Sequence, residues 1–180
     1  MNILYLHGFA SSFDSTSAKV QALTKLGSVS GIDIDYCHRA EEVIEKVSRN
    51  LDLEKIDLIV GTSMGGWLSA TLGARSHIPF VAINPAISPQ ITLARHVGEG
   101  IDYQGNAFTL TNEIVQSYFP IDQSGRGIVL LDMGDDVINP VETKTLLQKV
   151  FPVHCFDGGS HRFEHMNEAL DIVTSFYEQI

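Results

Sequence analysis

Gly61-Thr62-Ser63-Met64-Gly65-Gly66 decides how this chain is read, because of what flanks it. Ahead of it runs Ile56-Asp57-Leu58-Ile59-Val60, a short, apolar, β-branched stretch that reads as a buried strand. Behind it runs Trp67-Leu68-Ser69-Ala70-Thr71-Leu72-Gly73-Ala74-Arg75, which reads as a helix. A strand that passes directly into a helix leaves room only for a very tight turn. Gly61 and Gly65 remove side-chain bulk that would collide there, and the strain holds the Ser63 hydroxyl out above the sheet. The Met64 N–H, at the helix start, then faces any anion that develops beside Ser63.

A Gly-x-Ser-x-Gly pattern at such a junction resembles the nucleophile elbow of α/β-hydrolases. A serine hydroxyl is a weak nucleophile near neutral pH and needs a base, which in turn needs an orienting acid. In that arrangement the partners follow in the order serine, acid, histidine, each past the carboxyl end of a strand. Gly127-Ile128-Val129-Leu130-Leu131-Asp132-Met133 reads as one such strand, and Gly134-Asp135-Asp136-Val137-Ile138-Asn139-Pro140 as its exit loop. Phe151-Pro152-Val153-His154-Cys155-Phe156 reads as the next, followed by Asp157-Gly158-Gly159-Ser160-His161-Arg162-Phe163. Three chemically required residue types thus fall in order at the ends of three apolar runs.

The acid is Asp135 or Asp136, since Asp132 lies inside the strand pattern; both loop acids are also ordinary turn residues. Of the seven histidines, His161 follows a Gly-Gly-Ser turn, where a flexible backbone can set an imidazole over a cleft. His165, four residues on at the mouth of the last helix, is its nearest rival. His154 sits in a strand and reads as structural, while His38, His77 and His96 read as surface or capping residues.

At the amino terminus, Asn2-Ile3-Leu4-Tyr5-Leu6 is a strand and His7-Gly8-Phe9-Ala10-Ser11-Ser12 its exit loop. Ser11 and Ser12 have no strained turn to present them and read as loop and helix-cap residues. These blocks, with Ser17-Ala18-Lys19, the elbow, Asn84-Pro85-Ala86, Gly134-Asp135 with Val137, and Gly158-Gly159 with His161 and Phe163, give the chain its family resemblance. It resembles the small bacterial YqiA-type esterases, a branch of the α/β-hydrolase superfamily, over nearly its whole length. The resemblance implies hydrolysis of carboxylic esters with short acyl chains, and a triad of Ser63, Asp135 and His161; its loop pattern selects Asp135 over Asp136. It further implies that Gly8 lets the chain turn so that the Phe9 N–H joins the Met64 N–H as an oxyanion donor. His7 then has the role of bonding the loop backbone and fixing its shape. The elbow departs from the family pattern at Thr62 and Met64, which bears on pocket shape and not on any reacting atom.

Composition narrows the partners. A chain of 180 residues is expected to form a single domain, 1–180, burying about 70% of its unfolded surface. With 22 acidic against 12 basic residues and no basic cluster, neither nucleic acid nor an anionic membrane is an expected partner. No apolar run approaches the roughly 20 residues of a membrane span, and no signal-peptide pattern is present. Cys37 and Cys155 lie far apart without metal spacing and read as free thiols, which fits a cytoplasmic location. Neither a metal nor an organic cofactor is required by the chemistry; the partner is a small-molecule ester.

Helices are expected over Ser17–Leu26, Ala40–Leu51, Val141–Val150 and Asn167–Gln179, and further strands over Val29–Ile34 and Phe80–Ile83. Strands alternating with helices predict an α/β fold: a mainly parallel sheet of about six strands with helices on both faces, fewer than the usual eight, hence a trimmed α/β-hydrolase. Ligand sites in such sheets lie at the carboxyl strand ends, where every residue singled out above falls. The stretch 87–125 breaks the alternation and mixes Ile91, Val97, Tyr103, Phe108, Ile114, Tyr118 and Phe119 with polar residues. It reads as a cap over Ser63, or more plainly as surface helices packed on the sheet. Two other functions share these features: a thioesterase or acyltransferase with the same triad, and a ligand-binding homologue without turnover.

Overall fold

The computed structural model describes residues 1–179. Its strands and helices alternate from the start: β1 (Asn2–Leu6), α1 (Ala18–Leu23), β2 (Ser28–Gly31), α2 (Ala40–Asn50), β3 (Leu58–Thr62), α3 (Met64–Ser76) and β4 (Phe80–Ile83). Then come α4 (Pro89–Thr92), β5 (Gly98–Ile101), β6 (Ala107–Leu110) and α5 (Asn112–Ser117). The chain closes with β7 (Gly127–Asp132), α6 (Pro140–Leu147), β8 (Val153–Phe156) and α7 (Met166–Glu178). The main sheet has six strands in the order β2-β1-β3-β4-β7-β8, and every pairing in it is parallel.

Parallel strands covered on both faces must be apolar on both, and they are. Ile3, Tyr5, Leu58, Val60, Val81, Ile83, Ile128 and Leu130 point to one side, where α1 and α7 supply Val20, Leu23, Met166, Ala169 and Val173. Leu4, Leu6, Ile59, Phe80, Ala82, Val129 and Leu131 point to the other, against Val43, Ile44 and Val47 of α2, Trp67, Leu68 and Leu72 of α3, and Leu147 of α6. Alternation of period two along each strand divides the residues between these two layers, and each fully buried Leu, Ile or Val contributes about 1.5–3 kcal/mol.

Two strands are shorter than the sequence predicts. β2 ends at Gly31 because Ile34 and Tyr36 leave the sheet to bond His7: the Ile34 N–H donates to its imidazole and the Tyr36 hydroxyl to its carbonyl. β8 starts at Val153 because the Phe151 N–H still donates to Leu147 O at the end of α6, and Pro152 has no N–H to offer. The helices α1 and α6 are likewise trimmed, to Ala18–Leu23 and Pro140–Leu147.

The segment 87–125 is more than a pair of helices. Between α4 and α5 it makes an antiparallel hairpin, β5 with β6. Asp102 organises the turn, its Oδ1 accepting from the Gln104 and Asn106 N–H groups, and Gly105 takes φ +89°. Leu93, Leu110, Val115, Tyr118 and Ile121 are buried in the layer that contains α2 and α3. Trp67, at the heart of that layer, donates its indole N–H to Phe119 O at 2.9 Å.

Candidate active site

Ser63 stands between the last residue of β3 and the first of α3 with φ 59° and ψ −118°. A non-glycine residue there carries roughly 1–3 kcal/mol of strain, so the surroundings must hold it. They do so through both backbone polar groups. The Ser63 N–H donates to Ile83 O of β4 at 3.0 Å, and the Ser63 carbonyl accepts from Gly66, Trp67 and Ala86 at 2.9, 3.1 and 3.0 Å. The two glycines are needed for space: a Cβ on Gly61 would lie 1.9 Å from Gly65 O, and one on Gly65 would lie 2.0 Å from Leu6 O. Thr62, the last residue of β3, shares a hydrogen bond of 3.1 Å with the Tyr5 hydroxyl.

The Ser63 Oγ lies 3.0 Å from His161 Nε2, and His161 Nδ1 lies 2.8 Å from Asp135 Oδ2. Asp135 is the better buried of the two, 1% exposed in its side chain against 21% for His161. Its second oxygen accepts the Val137 and Ile138 N–H groups at 2.8 and 2.9 Å, so the carboxylate is fixed on both sides. Asp136 is exposed and outside this row. The loops bearing the acid and the histidine are joined by the Gly134 N–H donating to Gly158 O at 2.6 Å. Gly158 and Gly159 both adopt positive φ, +72° and +70°, the left-handed conformation that a Gly-Gly pair permits.

The loop after β1 lies against Ser63. A Cβ on Gly8 would meet Ser63 Cβ at 3.2 Å and Oγ at 3.6 Å. The Phe9 and Met64 N–H groups have no acceptor among the described residues. His7 is buried and does not touch Ser63's row. Its Nε2 accepts the Ile34 N–H at 2.8 Å and its Nδ1 donates to Gly8 O at 2.8 Å. That pair of bonds fixes the neutral tautomer with the proton on Nδ1, and burial pushes the His7 pKa down.

Residues of 87–125 reach this loop and the acid's loop alike. Phe9 packs against Phe108 and His96, with ring centroids 5.2 and 5.0 Å away. The Tyr103 N–H donates to Ala10 O, Gln104 to the Ser12 hydroxyl, and Arg95 to Val137 O. Ser11 and Ser12 remain loop residues without a base beside them. His77 ends α3 in the left-handed conformation, and His38 sits between Asp35 and Glu42 on the surface. His165 belongs to a different pair, with Asp132 at 2.7 Å.

Sequence reasoning gave no role to Asp132 or Asn84. Both are buried, and their signal was polarity at the end of a strand that is otherwise wholly apolar. No group of three or more His, Cys, Asp and Glu among the described residues is placed to hold a metal ion, and none of their helices is long and apolar enough to cross a membrane. Cys37 and Cys155 are free thiols.

A six-stranded parallel sheet with a strained serine at the β3–α3 junction defines the α/β-hydrolase fold, and comparison with solved structures agrees. Est1E from Butyrivibrio proteoclasticus superimposes with a TM-score of 0.73 at 15% identity, covering 99% of this chain and 87% of that one. Mouse alpha/beta hydrolase domain-containing protein 10 gives 0.72 at 17% identity, covering 99% and 90%. The monoacylglycerol lipase of Paleococcus ferrophilus gives 0.70 at 15% identity, covering 99% and 95%. Within that fold the chain belongs to the family described as Uncharacterised protein family (UPF0227), whose model matches residues 2–178. Its relatives include a UPF0227 protein of Vibrio parahaemolyticus, 24% identical over 180 residues and covering 97% of this chain and 98% of the relative. Another, from Vibrio vulnificus, is 26% identical over 184 residues, covering 98% of each.

Proposed function

We propose that this protein is a serine hydrolase that cleaves carboxylic esters through an acyl-enzyme intermediate, with Ser63 as nucleophile, His161 as base and Asp135 as the orienting acid. The observation that carries the reading is the unbroken row from Ser63 Oγ through His161 to Asp135, with contacts of 3.0 and 2.8 Å. His161 takes the hydroxyl proton at Nε2 as Ser63 Oγ forms its bond to the ester carbonyl carbon. Asp135 holds the Nδ1–H tautomer and stabilises the imidazolium. The carbonyl oxygen, now an oxyanion, is received by the Phe9 and Met64 N–H groups, which have no acceptor among the described residues. Each such donor contributes about 2.7–4 kcal/mol to transition-state stabilisation. The imidazolium then protonates the departing alkoxide. Water, deprotonated by His161, attacks the acyl-Ser63 carbonyl, and the acid leaves as Ser63 recovers its proton.

The segment 87–125 is the cap of this site, supported by its bonds to the loops at Ala10, Ser12 and Val137, which flank Ser63. Phe9, which follows Gly8 beside Ser63, packs on His96 and Phe108 of this segment, and a short acyl chain is the substrate proposed. The test is incubation of the purified protein with a fluorophosphonate and, separately, with p-nitrophenyl acetate and butyrate. Stoichiometric labelling at Ser63 with turnover of both esters is expected. A protein that neither labels nor turns over would be a binding homologue of the fold.

A further inference from the structure

The loop that carries His161 is held from beneath by residues that play no part in the row itself. Asp132, the last residue of β7, is fully buried. Its Oδ2 accepts the Ser160 N–H at 3.1 Å and the Glu164 N–H at 2.8 Å, and its Oδ1 accepts from His165 Nδ1 at 2.7 Å. These contacts bracket His161 on both sides. Asn84, which follows β4 and has φ +41°, donates its amide to Ser160 O at 3.0 Å and to His161 O at 3.3 Å. The Asn84 Oδ1 in turn accepts the Asp132 N–H at 2.9 Å. Lys19, half-buried on α1, donates its ammonium to Arg162 O. The loop is therefore fastened at the carbonyls of 160, 161 and 162 and at the N–H groups of 160 and 164. It approaches Asp132 so closely that a Cβ on Gly159 would lie 1.9 Å from the carboxylate.

Stability alone is a poor reason for this arrangement. Burying a charge costs several kcal/mol before its partners offset it, and well-packed apolar replacements of buried ion pairs are often neutral or stabilising. What a carboxylate does that an apolar side chain cannot is accept several N–H groups at fixed directions and so set the orientation of a loop. We infer that Asp132, assisted by Asn84 and Lys19, is the positioning group for His161, holding the 157–165 loop so that Nε2 faces Ser63. The inference rests on the reading of Ser63, Asp135 and His161 given above. The hydrogen bonds of the Asp132 carboxylate go to Ser160, Glu164 and His165 and not to Ser63 or the imidazole of His161, so it acts through the loop. His165 belongs to this support: its Nδ1 bonds Asp132 and its ring stacks on Phe156 at 5.3 Å and 12°, while the imidazole hydrogen-bonded to Ser63 Oγ is that of His161.

The experiment compares wild type, Asp132→Asn, Lys19→Met and Ser63→Ala, each at a temperature well below its own Tm. The quantities read are kcat and KM for p-nitrophenyl acetate and the rate of fluorophosphonate labelling. The asparagine keeps the shape of Asp132 but presents an NH2 to donors it should accept from. It should lower kcat by about 10- to 100-fold with KM within about twofold, since misplacement by 1 Å can cost on the order of 10² in rate. The labelling rate should fall in proportion, and Lys19→Met should show the same split to a smaller degree. A purely structural Asp132 would lower Tm and leave kcat at its wild-type value in both folded variants, which overturns the inference. If Asp132→Asn does not fold, Lys19→Met decides, since methionine fits the first turn of α1. Failure of the esterase reading has a different signature, full turnover by Ser63→Ala.

Discussion

The Ile34 N–H donates to the Nε2 of His7 at 2.8 Å, so the imidazole that follows β1 cannot take a second proton without losing the bond that turns the chain out of β2. Burial depresses the His7 pKa in the folded protein, while the unfolded chain protonates it near the reference value of about 6.5. Below that value the unfolded state binds more protons than the folded one, so stability falls as the pH is lowered. The effect is absent above roughly pH 7 and grows toward the depressed folded value. The Tm advantage of wild type over His7→Asn, followed from pH 8 to 5, should therefore shrink on the acid side. His7→Asn, less stable throughout because it cannot bridge Ile34 and Gly8 equally well, should lose less over the same range. Parallel curves for the two proteins would contradict this account of His7.

His165 should behave in the opposite sense. Its hydrogen bond to Asp132 raises its pKa in the folded protein, with the nearby charges of Asp132, Glu168 and Glu164 adding to the effect. A raised folded pKa gives stability that is fully present below about pH 6.5 and disappears as the pH rises through the folded value. The Tm difference between wild type and His165→Gln should thus be largest in mild acid and shrink above neutrality. A difference that grows with pH would reverse the assignment.

Ser63→Ala should abolish ester turnover nearly as fully as removal of the whole row, because its members act as a unit. Fluorophosphonate labelling should vanish with it. Tm should stay level or rise, since sites shaped for chemistry are often strained. A variant that still hydrolysed p-nitrophenyl acetate at the wild-type rate would move attention to Ser11 and Ser12.

Asp135 and Asp136 are neighbours in sequence with different fates, one buried against His161 and the other in solvent. Asp135→Asn should lower kcat by on the order of 10⁴ by favouring the wrong imidazole tautomer. Asp136→Asn should leave kcat within about twofold, and stability within about 0.5 kcal/mol, as surface substitutions usually do. Steady-state kinetics on the two purified variants separates them.

Gly65→Ala tests the packing of the elbow without removing a polar group. The added methyl would lie 2.0 Å from Leu6 O, a clash that only movement of β1 or α3 can relieve. Overpacking of this kind costs about 1–3 kcal/mol, occasionally more, and should appear as a lower urea midpoint. Since β1 leads into the Gly8–Phe9 turn, kcat should fall as well.

The central strands were legible because they are covered on both faces, which makes Leu58 to Val60, Phe80 to Ile83 and Ile128 to Leu131 continuous apolar runs. The ends of β2 and β8 were not, because they depend on partners far away in sequence: the His7 imidazole in one case, the last turn of α6 before Pro152 in the other. The β5–β6 hairpin escaped notice because Gly98-Glu99-Gly100-Ile101 has little β-propensity of its own; the Asp102 to Asn106 turn was the available sign. Ser63, the Asp135–Asp136 pair and His161 were placed at their strand ends by turn chemistry written in glycine and aspartate, and the choice of Asp135 within the pair came from the family's loop pattern. Asp132 and Asn84 carried no such punctuation, and only their hydrogen bonds give them meaning.

The all-parallel pairing of the main sheet has a consequence for synthesis on the ribosome. Ser63 and His161 are 98 residues apart in the chain, and the loop bearing the histidine is set only when β8 pairs with β7. A nascent chain that has finished the elbow therefore presents Ser63 with no imidazole beside it, and keeps doing so until the last strand has emerged and docked. Non-local pairing of this kind is slow to form. Loss of the C-terminal quarter, by truncation or cleavage, removes His161, its loop and α7 together, so no form of the chain shortened in this way keeps Ser63 beside its hydrogen-bonded imidazole.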